Sequence, residues 1–149
     1  MPLQTTFGSK LTTVATVQAH PLGTIRVEGD KTYKYMKAGG AIHATDGCAM
    51  SASGTVLVTG ANLKACGVNS SRVTLASGDY FWMQVAGEIL GDATVVLDTS
   101  GSTAVGYPAY CTDATGLLSG AAASSTLIGT STVSVKHATL GAVMLSGLL

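Results

Sequence analysis

At 149 residues the chain has the length of one domain, enough to bury about 68–70% of the surface its unfolded form exposes. Eight basic and eight acidic side chains cancel, and only 11% of residues are charged; this excludes the basic stripe of a nucleic-acid binder and leaves little repulsion between copies. Cys48, Cys66 and Cys111 form no Cys-x-x-Cys pair, which fits a reduced compartment better than a disulfide framework, and no apolar run reaches the ~18 residues that span a bilayer.

Residues 1–21 are rich in Thr and poor in charge, with spaced apolar residues Leu3, Phe7, Leu11, Val14 and Val17 before His20-Pro21. The spacing predicts an N-terminal arm whose apolar residues make assembly contacts, with Thr12 to Gln18 able to add as a strand to its own sheet or a neighbour's. No charged leader followed by an apolar core opens the sequence, so no export signal is expected. Residues 22–149 are expected to form one β-rich domain.

From Leu22 two alternating runs flank Glu28-Gly29-Asp30-Lys31 and predict a β-hairpin, with Ile25 and Val27 on one face and Arg26 and Glu28 on the other. Lys31, Lys34 and Lys37 read as a solvated hairpin face. Lys37-Ala-Gly-Gly-Ala and Thr45-Asp46-Gly47 then break the chain. Further strands are expected at Thr55–Thr59, Ala65–Val68, Arg72–Leu75, Asp79–Val85, Thr94–Leu97, Thr126–Ile128, Thr132–Lys136 and Ala142–Leu145. The densest aromatic stretch, Tyr80-Phe81-Trp82-Met83, falls in one of these, with Tyr80, Trp82 and Gln84 on one face and Phe81, Met83 and Val85 on the other. Together with Tyr33 and Tyr35 these residues are the candidates for the core or a subunit contact. Short strands at intervals of roughly 8–12 residues predict an all-β fold, a small antiparallel barrel or sandwich. One short helical turn is expected at most, over Gly120–Ser125.

Few motifs carry chemistry. Asp98-Thr-Ser100-Gly-Ser102 after an apolar run matches the first element of a metal-dependent adhesion site, where a carboxylate and two hydroxyls suit a hard divalent cation. The amphipathic helix such a site needs does not follow, so Asp98, Ser100 and Ser102 read first as a polar turn. His20, His43 and His137 have no second ligand at metal spacing, and no phosphate loop, dinucleotide fingerprint or nucleophile elbow is present. Neither catalysis nor a cofactor is expected.

The order of signals resembles the small decoration, or cement, proteins of tailed double-stranded DNA phages, those with a β-tulip type domain above all. The likeness rests on Leu22-Gly-Thr-Ile-Arg26 leading into Tyr33-Lys-Tyr35, on Ala38-Gly-Gly-Ala41 with Asp46-Gly47 after it, on Gly78 to Gly87, and on Ile128-Gly129. The longer arm before Leu22 and the Ala-rich stretch at 120–125 depart from it. The resemblance implies a β-tulip-like, non-enzymatic protein, made in the host cytoplasm, that binds the major capsid protein on the outside of the virion as a homotrimer and reinforces the shell. Another virion role, as a head fibre base or tail component, and a metal-dependent adhesion or carbohydrate-binding module remain the alternatives.

Overall fold

The β-hairpin forms where alternation and turn chemistry place it. β1 (Ile25–Glu28) and β2 (Lys31–Lys37) pair antiparallel from Ile25↔Lys34 to Glu28↔Lys31. Gly29 takes the positive φ of 61° that a two-residue turn requires. The structure, a computed structural model, describes residues 10–44, 46–58, 65–90, 108–112, 118–119, 125–131 and 142–145. Among these the remaining strands are β3 (Gly47–Met50), β4 (Val56–Val58), β5 (Ala65–Asn69), β6 (Tyr80–Leu90), β7 (Pro108–Thr112), β8 (Leu118–Ser119), β9 (Ser125–Ser131) and β10 (Ala142–Leu145). No helix occurs among the described residues, and every strand pairing is antiparallel.

β6 organises the rest. Its first part pairs with β2, from Lys37↔Tyr80 to Thr32↔Ala86, and with β5 at Val68↔Gln84 and Asn69↔Met83. Its last part, Gly87 to Leu90, pairs with β10, which continues through β9 and β7 to β8. Register with β2 shifts between Thr32 and Tyr33, leaving Val85 as the extra residue, and such a bulge bends the strand that carries it. Gly87 follows with φ 89°, and a Cβ there would stand 2.5 Å from the Asp30 carbonyl oxygen. Only glycine allows the hairpin turn to lie this close to the bent strand.

The pairing around β6 gives a six-stranded antiparallel sheet in the order β1-β2-β6-β5-β3-β4. Past the end of β2, Ala38 meets Val56 of β4 in an isolated parallel bridge, with Gly39 N donating to Val56 O at 2.7 Å. The sheet therefore curls until the segment after β2 reaches β4, but one bridge is no ladder, and the sheet is not closed into a barrel. Its inner face carries the main core: Met36, Ile42, Cys48, Val56, Leu75, Phe81, Met83 and Val85, with Val14 and Cys66 packed at the margin.

The expected all-β fold is thus present, and the expected strand at Asp79–Val85 is covered on both faces: Phe81, Trp82, Met83, Gln84 and Val85 are all buried. Arg72–Leu75 is not a strand. Arg72 has φ 65°, and Asn69 draws the following turn around itself, accepting from Ser71 N and Ser71 Oγ and donating to Val73 O. Leu75 alone pairs, as an isolated bridge with Ile42. β3, β7 and β8 lack the β-branched runs that mark strands in sequence. The expected segments Thr94–Leu97 and Thr132–Lys136 lie outside the described residues, as do residues 120–124 of the expected helical turn, while Ser125 opens β9.

Candidate functional site

Among the described residues, the outer face of the β2–β6 pair gathers the aromatic rings together. Alternation puts Tyr33 and Tyr35 there from β2, and register brings them opposite Gln84 and Trp82 of β6. The ring of Trp82 lies 5.0 Å from that of Tyr35, and Tyr35 stacks on Tyr80 at 6.2 Å with 15° between planes. His20 closes the group, 5.1 Å from Tyr35 in an edge-on arrangement and 5.3 Å from Trp82. Cations flank both ends: the Arg26 guanidinium stands 5.9 Å from the Trp82 ring centre, and Lys37 Nζ 5.4 Å from that of Tyr80.

This face is not open to a ligand, because the chain's own N-terminal segment straps it. Ala15 N donates to Tyr80 O at 3.0 Å and Tyr80 N to Ala15 O at 2.7 Å. Ala19 N donates to the Tyr35 hydroxyl at 3.1 Å. Leu11 packs on the aromatic group while Val14 reaches the main core. As a result Trp82 is 1% and Tyr35 3% exposed. The anticipated strand at Thr12–Gln18 is reduced to the single Ala15↔Tyr80 bridge, on the chain's own β6.

The assembly candidates of the arm accordingly separate. Leu11 and Val14 face inward and are partly buried, Val17 is 75% exposed, and Leu3 and Phe7 lie outside the described residues. The core candidates Tyr33, Tyr35, Phe81, Trp82 and Met83 are buried and Tyr80 is half-buried. Asp98, Ser100 and Ser102 lie outside the described residues.

A second polar group, not anticipated from sequence, sits at the β3 end of the sheet. The buried Asp46 carboxylate accepts from His43 N at 2.9 Å and contacts His43 Nδ1 at 3.2 Å, leaving the imidazole largely in solvent. Burial pushes the Asp46 carboxyl up from its ordinary value, and the His43 contacts pull it partly back. Asn69 N donates to Asp46 O, and its side-chain amide donates to the carbonyls of Ile42 and His43. Ser71 Oγ donates to Asn69 Oδ1 at 2.6 Å. The Asn69 bonds to Ile42, His43 and Asp46 tie the two segments together, while the His43–Asp46 and Ser71–Asn69 bonds brace each segment internally, so the cluster works as a clamp between them. The spacing Asp46…Asn69-x-Ser71 holds a signal for it only once β3 and β5 are known to be neighbours.

Cys48 is buried, and burial pushes the Cys66 thiol up to about 11, with Lys34 only partly opposing this. The Cys66 Sγ sits 3.8 Å from Met83 Sδ at the margin of the core. Among the described residues no three His, Cys, Asp or Glu side chains gather to hold a metal ion. Apolar side chains are exposed at Val17, Leu22, Ile25, Val27 and Val73. In comparisons with protein-family models and with curated proteins, the chain matches none.

Proposed function

We propose that the protein is a virion structural component that binds the outer surface of a phage capsid and stabilises the shell. The observation that carries this reading is the strap: a segment held to the domain by the Ala15–Tyr80 bridge, Leu11 and Val14, which presents Val17 outward as its most exposed large apolar residue. An anchored segment binds with less loss of conformational freedom than a loose one. Leu3 and Phe7, ahead of the strap, extend the same apolar spacing. Meanwhile the polar groups of the aromatic face and of the Asp46 clamp are engaged in holding the chain together. Modest contacts of this kind suffice on a lattice, because repetition by symmetry raises the effective concentration of each contact.

Electron microscopy of particles carrying the chain tests the proposal: density for it on the outer shell is expected. Density confined to a tail or fibre moves the protein to another virion role, and absence from particles overturns the reading. In co-sedimentation with capsids, Val17→Asp should weaken binding severalfold while leaving the thermal unfolding profile unchanged.

A further inference from the structure

β1 ends the six-stranded sheet, and its outer edge is addressed by nothing among the described residues. Tyr35 N donates to Thr24 O at 2.8 Å, so the even-numbered residues Thr24, Arg26 and Glu28 turn their backbone groups toward β2. Those of Ile25 and Val27 point away from it. The same two residues carry side chains that are 51% and 65% exposed, on the inner-face side of the sheet, beyond the reach of the core. On the opposite side Arg26 and Glu28 form an ion pair with each other. An edge strand with free backbone groups and uncovered apolar side chains is a template for another strand, and natural edges are commonly blunted by Lys, Pro or a bulge. Within β1, Ile-Arg-Val-Glu has no Lys, no Pro and no bulge against β2.

We propose that β1 pairs with β1 of a second copy, antiparallel about a twofold axis at Val27, joining two six-stranded sheets edge to edge. Keeping the inner faces on one side requires residues of like parity to oppose each other. Centring the axis on Arg26 would set Arg26 against Arg26, and like charges directly opposite are unfavourable. Centring it on Val27 sets Arg26 of each copy opposite Glu28 of the other, so the sequence is self-complementary in charge. It also joins the outward N–H and C=O groups of the two Val27 residues and brings the Val27 and Ile25 side chains into one apolar patch. A four-residue strand buries much less than the roughly 1,200 Å² of a stable specific interface, so the contact is weak and concentration-dependent in solution. It does not depend on the capsid reading, and its test uses no capsid.

Two measurements on the full chain decide it. Sedimentation equilibrium should show a monomer–dimer equilibrium that Val27→Lys weakens by about tenfold or more, with circular dichroism and melting unchanged because Val27 contacts no core. Second, paired Val27 residues would have Cα atoms about 5.5 Å apart, inside the roughly 4.4–6.8 Å range a disulfide spans. Paired Ile25 residues would be more than about 13 Å apart. Under mild oxidation Val27→Cys should therefore yield a cross-linked dimer that neither Ile25→Cys nor the unsubstituted chain forms. Only monomer at the solubility limit, a dimer or trimer insensitive to Val27→Lys, or cross-linking of Ile25→Cys as readily as Val27→Cys would overturn the proposal.

Discussion

Trp82 occupies the junction of β2, β6 and the strap, where Tyr35, His20 and Arg26 meet its ring. Truncation to Ala removes a buried indole and the floor on which the strap rests, so Trp82→Ala should destabilise the protein by about 3–5 kcal/mol in denaturant unfolding. As the single Trp of the chain, it should also show the blue-shifted emission of a buried indole. Asp46 gives a pH signature of definite sign. Its folded carboxyl keeps its proton above the ordinary value of 3.8, so the folded state is favoured most below that value and the contribution is lost as pH rises through the higher, folded one. The melting temperature of the wild type, relative to Asp46→Asn, should therefore fall as pH rises from below 3.8; a rise would mean that the His43 contacts outweigh burial. Cys66, with its thiol at about 11, is protonated at neutral pH. Iodoacetamide at pH 8 should leave both Cys66 and the buried Cys48 unmodified in folded protein and alkylate them on unfolding, as peptide mass mapping would show.

At the scale of elements, the strap and the β5–β6 contact make distinct demands. Ala15→Pro removes the N–H that Tyr80 O accepts and cannot be accommodated in the bridge, so it should loosen the strap at a cost of about 1–3 kcal/mol and shift Trp82 emission to the red. An unchanged emission maximum would show that Leu11 and Val14 hold the strap without the bridge. Gly67 in β5 lies against β6 so closely that a Cβ would stand 2.6 Å from Met83 Cγ and 2.8 Å from the Gln84 carbonyl oxygen. Backbone cannot yield as a flexible side chain does, and Gly67→Ala should destabilise by about 1–3 kcal/mol with little change in secondary structure. The hairpin and the β6 aromatic strand were legible in the sequence because alternation and turn chemistry are local. β3, Gly47-Cys-Ala-Met50, was not: its small residues have no strand preference, and it exists because β4 and β5 flank it on both sides.

Across the molecule, stability should grade from the shared strand outward. The amides of Met83 and Gln84, on a strand flanked by β2 and β5, should exchange most slowly, and the outward amides of Ile25 and Val27 fastest among the strand residues of dilute protein. The sequence by itself determined the all-β class, the hairpin, the burial of Tyr35, Phe81, Trp82 and Met83, and the alternation that puts Ile25 with Val27 and Arg26 with Glu28. These follow from period-two patterning and turn residues, which act over a few positions. Tertiary structure alone decided which side of each strand is covered. Alternation makes Ile25 and Val27 look like core residues, yet β1 lies at the sheet edge, past the reach of the core, and they stay in solvent while Arg26 shares the aromatic face. The weak pattern of the strap leaves open whether it adds to its own sheet or a neighbour's, and only the aromatic face of β2 and β6 gives Leu11, Ala15 and Ala19 something to hold within the same chain. Asp46, Asn69 and Ser71 meet for the same reason: contacts between residues far apart in sequence come from strand order, which no local pattern encodes.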